Sequence, residues 1–200
     1  MSLGAKLARH AYSLIVFSSS LLLYLLFLLI VVRDIYIPDE STYHNLGLIY
    51  VRGIASGNLN PLVDCSIDTF SCVAPPLAKI MTGVIAAALE PFGLGEYPIP
   101  TRVHFSLVVA LLMVYIFKIG VKFGGSRSGW LFWLFSLPVP AVTSINYYSI
   151  IDVTSLFFLL LAFKFSLLEG KYLIGGVMFG LASLSKFVPL PLFPVVAVIW

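Results

Sequence analysis

Charge is what this chain has least of. Asp, Glu, Lys and Arg make up 10% of its 200 residues, against about 25% in a typical soluble domain. With 60% hydrophobic residues and a mean hydropathy of +1.04, the composition excludes a soluble globular domain and indicates an integral, multi-pass membrane protein. The length allows on the order of five or six spans. The net charge is only +3 and the bases are scattered, so a nucleic-acid-binding surface is excluded. Histidine is scarce, and no second His or Cys stands at zinc-ligand spacing. Cysteine is limited to Cys65 and Cys72 in one polar loop. In an oxidising compartment they fit a disulfide; two free thiols fit equally. No Asn-x-Ser/Thr sequon and no internal repeat occur. The first apolar run is long for a signal-peptide core and lacks a small-residue cleavage pattern, so it reads as retained.

What is present is a series of apolar segments, at about 11–32, 76–94, 103–121, 129–148, 150–168 and 172–200. The first, Ala11 to Val32, holds no charge and has the length of a transmembrane helix. Lys6 and Arg9 precede it, which places the N-terminus in the cytoplasm. The adjacent acids Asp39-Glu40 therefore emerge on the extracytoplasmic side, beside the membrane surface and facing water. They belong to a polar insertion, 33–75, that also carries Asp34, Asp64 and Asp68 against Arg33 and Arg52. Within it, residues 39–56 predict an amphipathic helix. Tyr43, Leu46, Tyr50 and Ile54 recur at helical spacing, and such a helix is expected to lie flat on the membrane.

Segment 76–94 decides the topology. If it spans, the loop with Lys118, Lys122 and Arg127 falls outside, against the positive-inside tendency. The non-spanning reading is therefore preferred, although the segment is long enough to cross. Spans then run at about 11–32, 102–121, 128–148, 150–168 and 172–187. A further segment begins near 190 and reaches Trp200 without a polar exit, so that either Trp200 lies near the far interface or these residues are the front part of a longer chain, the second being preferred. The expected fold is all-α: a polytopic transmembrane bundle whose first extracytoplasmic loop, 33–101, carries amphipathic juxtamembrane helices.

On this topology Asp39, Glu40, Asp64, Asp68, Arg102, His104, Asp152 and Lys186 collect at the outer face. Ionisable groups near a bilayer are costly and so are functional candidates. Each also has an ordinary role. Asp39 can cap the helix, and Glu40 can be a solvated first-turn acid. Asp64 and Asp68 suit a solvated loop, and His104 a polar interface position. Arg102 and Lys186 can snorkel. Asp152 can cap the helix it opens. Gly175, Gly176 and Gly180 read as sites of close helix packing.

Six short motifs then agree in order and spacing. Pro38-Asp39-Glu40-Ser41-Thr42-Tyr43 resembles the acidic motif after the first span of the GT-C glycosyltransferases, in the protein-mannosyltransferase and aminoarabinose-transferase-like group. Ala55-Ser56-Gly57-Asn58 with Pro61 is similar to the turn that follows. Ala74-Pro75-Pro76-Leu77 resembles a His-Pro-Pro-Leu motif, with Ala74 where His is usual. Thr101-Arg102-Val103 is similar to an Arg opening the next span. Ile151-Asp152-Val153 resembles the second acidic motif, and the stretch from Gly180 to Lys186 a Gly-Leu-Ala…Thr-Lys stretch. The resemblance covers nearly the whole chain, while family members are considerably longer. It implies an N-terminal membrane module, 1–200, and leaves independent activity of these residues open.

The resemblance implies a polyprenyl-phosphate sugar donor and a hydroxyl acceptor on a protein, lipid or glycan. The reaction belongs to the extracytoplasmic face of a multi-pass protein, in a plasma membrane in preference to the endoplasmic reticulum. Asp39 and Glu40 are the catalytic candidates, with Asp39 the base for the acceptor hydroxyl. Arg102 and Lys186 are the donor-phosphate candidates, and Asp152 is the second acidic motif. The resemblance does not clearly demand a cofactor; paired acids are compatible with a divalent metal, and Asp152 could hold one or orient a base. Two other readings stay open: a transporter or assembly subunit, and an inactive glycosyltransferase-like module. A transporter, however, is expected to hold its ionisable groups near the midplane.

Overall fold

The computed structural model describes the backbone of residues 3–32, 38–64, 66–67, 76–139 and 150–186, and the side chains of 10–32, 40–64, 66–67, 76–139 and 152–186. Cys65, Cys72, Asp68, the Ala74-Pro75 pair, the Asp39 side chain and everything after Lys186 lie outside these. Among the described residues all regular structure is helical. The chain forms two compact units, one from Met1–Tyr36 with Phe105–Tyr148, the other from Ile37–His104 with Ser149–Trp200.

The first unit contains α1, Leu3–Leu26, which continues through a π-helical turn at Phe27–Val31. Its buried positions are Val16, Ser20, Tyr24, Leu28 and Val32. They recur every fourth residue and so form one stripe. The two polar members are satisfied within the unit. Tyr24 donates to the Leu137 carbonyl at 2.5 Å, and Trp133 Nε1 donates to Ser20 Oγ at 2.9 Å. The outward face holds Leu14, Ile15, Leu22, Leu23, Leu26, Leu29 and Ile30, all exposed. A water-facing helix would carry polar residues there. An apolar face of this extent fits lipid.

The helical stretch Ile99–Ser136 is interrupted at Gly124 and Gly125, where Gly125 adopts a φ of 74°. The two limbs, α4 (99–123) and α5 (126–136), fold back on each other. Gly120 lies against Gly129 and Phe132, and Gly129 against Phe117 and Val121. A continuous helix would hold positions 120 and 129 about 13 Å apart. The reversal agrees with the loop expected between 121 and 128. Tyr12 of α1 meets both limbs, edge-on to Phe117 and Trp130. Among the described residues, His10–Val31 and the Ile99–Ser136 stretch are the helices that by length and composition are apolar and long enough to cross a membrane.

The second unit is built on α2, Pro38–Ala55, and α3, Leu77–Leu89. Pro38 opens α2 where its missing N–H costs no hydrogen bond. The 13 residues of α3 rise about 20 Å, short of the ~30 Å hydrocarbon core. Its helix ends in a 3-10 turn, Glu90–Phe92, and Gly93 at φ 70°. The two helices touch backbone to backbone at Gly47 and Gly83, where a methyl on either residue would overlap the other helix. The Tyr43, Leu46 and Tyr50 face of α2 is buried. This corrects the expectation that it rests on lipid: the stripe packs inside the protein, and Ile54, expected to belong to it, is exposed.

The unit is completed by α6, Ile150–Phe163, with a π-helical turn at Lys164–Leu168, and by α7, Tyr172–Ser185. They pair antiparallel through Gly170 at φ 65°. Ser155 donates to the Ala182 carbonyl at 3.0 Å, and Ala162 packs with Phe179. At the turn, Glu169 pairs with Lys164 and Lys171. Gly175 sits against Ser166, as close packing requires, whereas Gly180 faces open space; the expectation for Gly180 is corrected. The 14 residues of α7 reach about 21 Å, so this helix is shorter than the span expected over 172–187.

Candidate functional site

The polar side chains of the second unit converge on the start of α4. Glu40, in the first turn of α2, is 1% exposed, and Arg102 is 2% exposed. Arg102 Nε stands 3.5 Å from Glu40 Oε1, an ion pair without the alignment of a full hydrogen bond. The Thr101 hydroxyl donates to Glu40 Oε1 at 2.6 Å, and Tyr97 Oη donates to Oε2 at 3.3 Å. Burial pushes the Glu40 carboxyl above its ordinary value, and Thr101, Arg102 and Tyr97 pull it part of the way back. Glu40 is therefore an internal anchor, which corrects the expectation of a water-facing pair. Asp39 immediately precedes it on the same helical turn. Its side chain lies outside the described residues.

Arg102 neither snorkels nor stands open to solvent; it is held by Glu40. His104 is likewise internal. Its Nδ1 lies 2.7 Å from Thr82 Oγ1 and its Nε2 3.4 Å from Thr154 Oγ1, so it ties α3 and α6 to the start of α4. Lys79 of α3 is fully buried, with its ammonium 5.9 Å from the Tyr50 ring centroid.

Asp152 and Lys186 form the second charged locus. Lys186 Nζ donates to Asp152 Oδ1, with side chains 37% and 50% exposed. The helical hairpin of α6 and α7 brings together residues 34 apart in sequence. Asp64 is exposed and accepts from the Ser66 amide and hydroxyl, which hold its carboxyl below the ordinary value. It serves a turn, as expected.

Beside Glu40 lies a cleft of about 500 Å3 lined by His44, Tyr97, Glu90 and Glu96 among others. The Tyr97 side chain lines the cleft and carries the hydroxyl that bonds Glu40.

The structure thus pairs Glu40 with Arg102 and Asp152 with Lys186. Among the described residues, no cluster of three His, Cys, Asp or Glu is placed to hold a metal ion. Sequence reasoning missed Thr101, Tyr97, Lys79 and His44 as members of the buried polar set. Tyr97 and Thr101 flank the Pro98-Ile99-Pro100 stretch just before Arg102, and that proximity was the available signal. Lys79 stands four residues before Gly83 on one helical face, but the matching glycine of α2 is far away in sequence. No family model, curated protein or solved structure matches the chain.

Proposed function

We propose that these residues form the N-terminal membrane module of a glycosyltransferase that moves a sugar from a polyprenyl phosphate to a hydroxyl acceptor at the extracytoplasmic face. The observation that supports it most is the buried Glu40–Thr101–Arg102 cluster. It fixes the first turn of α2, and with it the backbone of Asp39, against the start of α4. A base for a surface reaction needs such a rigid mount, because misplacement of about 1 Å can cost about 100-fold in rate.

In this reading Asp39 accepts the proton of the acceptor hydroxyl as its oxygen attacks the anomeric carbon. The C–O bond to the lipid phosphate breaks, and the phosphate leaves as an anion without a strong general acid. Glu40 is a positioning residue. Lys186, partly exposed beside Asp152, meets the departing phosphate. Arg102 reaches a phosphate only where Glu40 yields it.

The test measures transfer from a labelled polyprenyl-phosphate sugar in membranes containing the full-length protein. Asp39→Asn is expected to lower the rate about 100-fold or more. Wild-type transfer by a folded Asp39→Asn protein removes the base role; absence of transfer by the wild-type protein removes the glycosyltransferase reading.

A further inference from the structure

The cleft beside Tyr97 has a chemistry of its own. Its volume of about 500 Å3 lies in the usual range of small-molecule sites. His44, one of the lining residues, is 5% exposed; its Nδ1 is shut off from solvent and has no hydrogen-bond partner among the described residues. Burial lowers the His44 pKa, so the ring is held neutral and offers one donor and one acceptor nitrogen. The Tyr97 ring packs edge-on to His44 at 6.4 Å.

The remaining polar lining is mixed. Asn45 supplies a donor and an acceptor, Arg52 donates, and Glu90 and Glu96 accept. Arg52 and Glu90 stand 3.8 Å apart, with side chains 69% and 66% exposed. Such a surface pair holds its geometry weakly, so both side chains can turn toward a ligand. One cation against two carboxylates disfavours phosphate and other anions. The apolar lining is limited to Leu48 and Ala86 with glycines, too little for a lipid chain. What this lining matches is a neutral ligand with many hydroxyls and an apolar face for an aromatic ring.

We propose that the cleft lined by His44, Asn45, Glu96 and Tyr97 binds a neutral saccharide. The binding claim stands on the cleft alone. Naming that saccharide as the acceptor rests on the glycosyltransferase reading, and makes the acceptor a glycan in preference to a protein.

The experiment uses the whole chain in lipid nanodiscs free of glycoside detergents, with isotope-labelled histidine. Mannose, glucose, mannobiose and maltose are titrated separately while the imidazole resonances are followed. The His44 resonance is assigned by its loss in His44→Gln, and exposed His10 reports bulk effects. At least one saccharide is expected to shift His44 saturably and leave His10 unmoved. Asn45→Ala and Glu96→Gln are each expected to weaken that binding about fivefold, the worth of one hydrogen bond. Three results overturn the proposal: no saccharide shifts His44, binding is unchanged in both variants, or inorganic phosphate or calcium chloride produces the saturable shift instead. Binding is read without turnover. Failure here therefore leaves the role of Asp39 standing, and failure of Asp39→Asn to reduce transfer leaves the saccharide site standing.

Discussion

Arg102 Nε lies 3.5 Å from Glu40 Oε1, with the two side chains 3% and 0% exposed. One comes from the first turn of α2 and the other from the first turns of α4. Removing one member of such a pair leaves a charge buried without its counter-charge, which costs about 3–5 kcal/mol. Glu40→Ala should lower thermal stability in lipid nanodiscs by that order. Adding Arg102→Met should recover much of the loss. A double variant no more stable than Glu40→Ala would show that the two groups act independently.

The same carboxyl gives a pH signature. Burial raises its folded-state value above the ordinary 4.5. The folded state then binds the proton more tightly than the unfolded state, so stability from Glu40 is fully present below 4.5 and is lost as pH rises through the folded value. Glu40→Gln cannot titrate. The stability difference between wild type and this variant should shift against wild type as pH rises above 4.5, as read by denaturation at stepped pH. A constant difference would contradict the raised value.

Gly47 and Gly83 leave no space for a side chain, since each would drive a methyl into the other helix's backbone. Gly47→Ala and Gly83→Ala should each destabilise by about 1–3 kcal/mol or more, because rigid backbone must move. Gly180 has open space, and Gly180→Ala should gain a few tenths up to about 1 kcal/mol from helix propensity. Thermal melts of the three variants provide the comparison. Equal effects at all three positions would deny the backbone contact.

If Lys186 meets the donor phosphate as proposed, its replacement separates stability from chemistry. Its partner Asp152 is half exposed, so the pair contributes at most about 1 kcal/mol. Lys186→Met should melt close to wild type and yet lose transfer from the polyprenyl-phosphate donor. Unchanged transfer would remove Lys186 from the donor site.

The orientation rests on charge and is checked by labelling. In a protein with Cys65 and Cys72 replaced by Ser, a cysteine at Asp152 should react with an impermeant maleimide from the extracytoplasmic side. One at Lys122 should react only after permeabilisation. The reverse pattern would invert the topology.

Much of the local structure was legible. Pro38 before an i, i+3, i+7 stripe marked α2 to within a residue of its ends, because local propensity and apolar periodicity depend on neighbours in sequence. The polar gap between the apolar runs ending near 121 and starting near 128 marked the break that the structure places at Gly124 and Gly125. The uncharged run of α1 marked a helix long and apolar enough to cross a membrane. The partners of these faces were not legible. Tyr43, Leu46 and Tyr50 would look the same against lipid as against α3, since both accept an apolar surface.

The sequence by itself determined the helical class, the apolar surface suited to a membrane, and the places where the chain must turn. Each follows from composition or from residues within one or two turns. Tertiary structure alone decided that Glu40 is internal and bound to Arg102, 61 positions from Glu40 to its neighbour Thr101, and that Lys186 reaches Asp152. It also decided that His44 borders a cleft. Whether a charged side chain faces water or a buried partner is set by desolvation against pairing. That balance depends on what packing brings beside it, and no spacing along the chain records it.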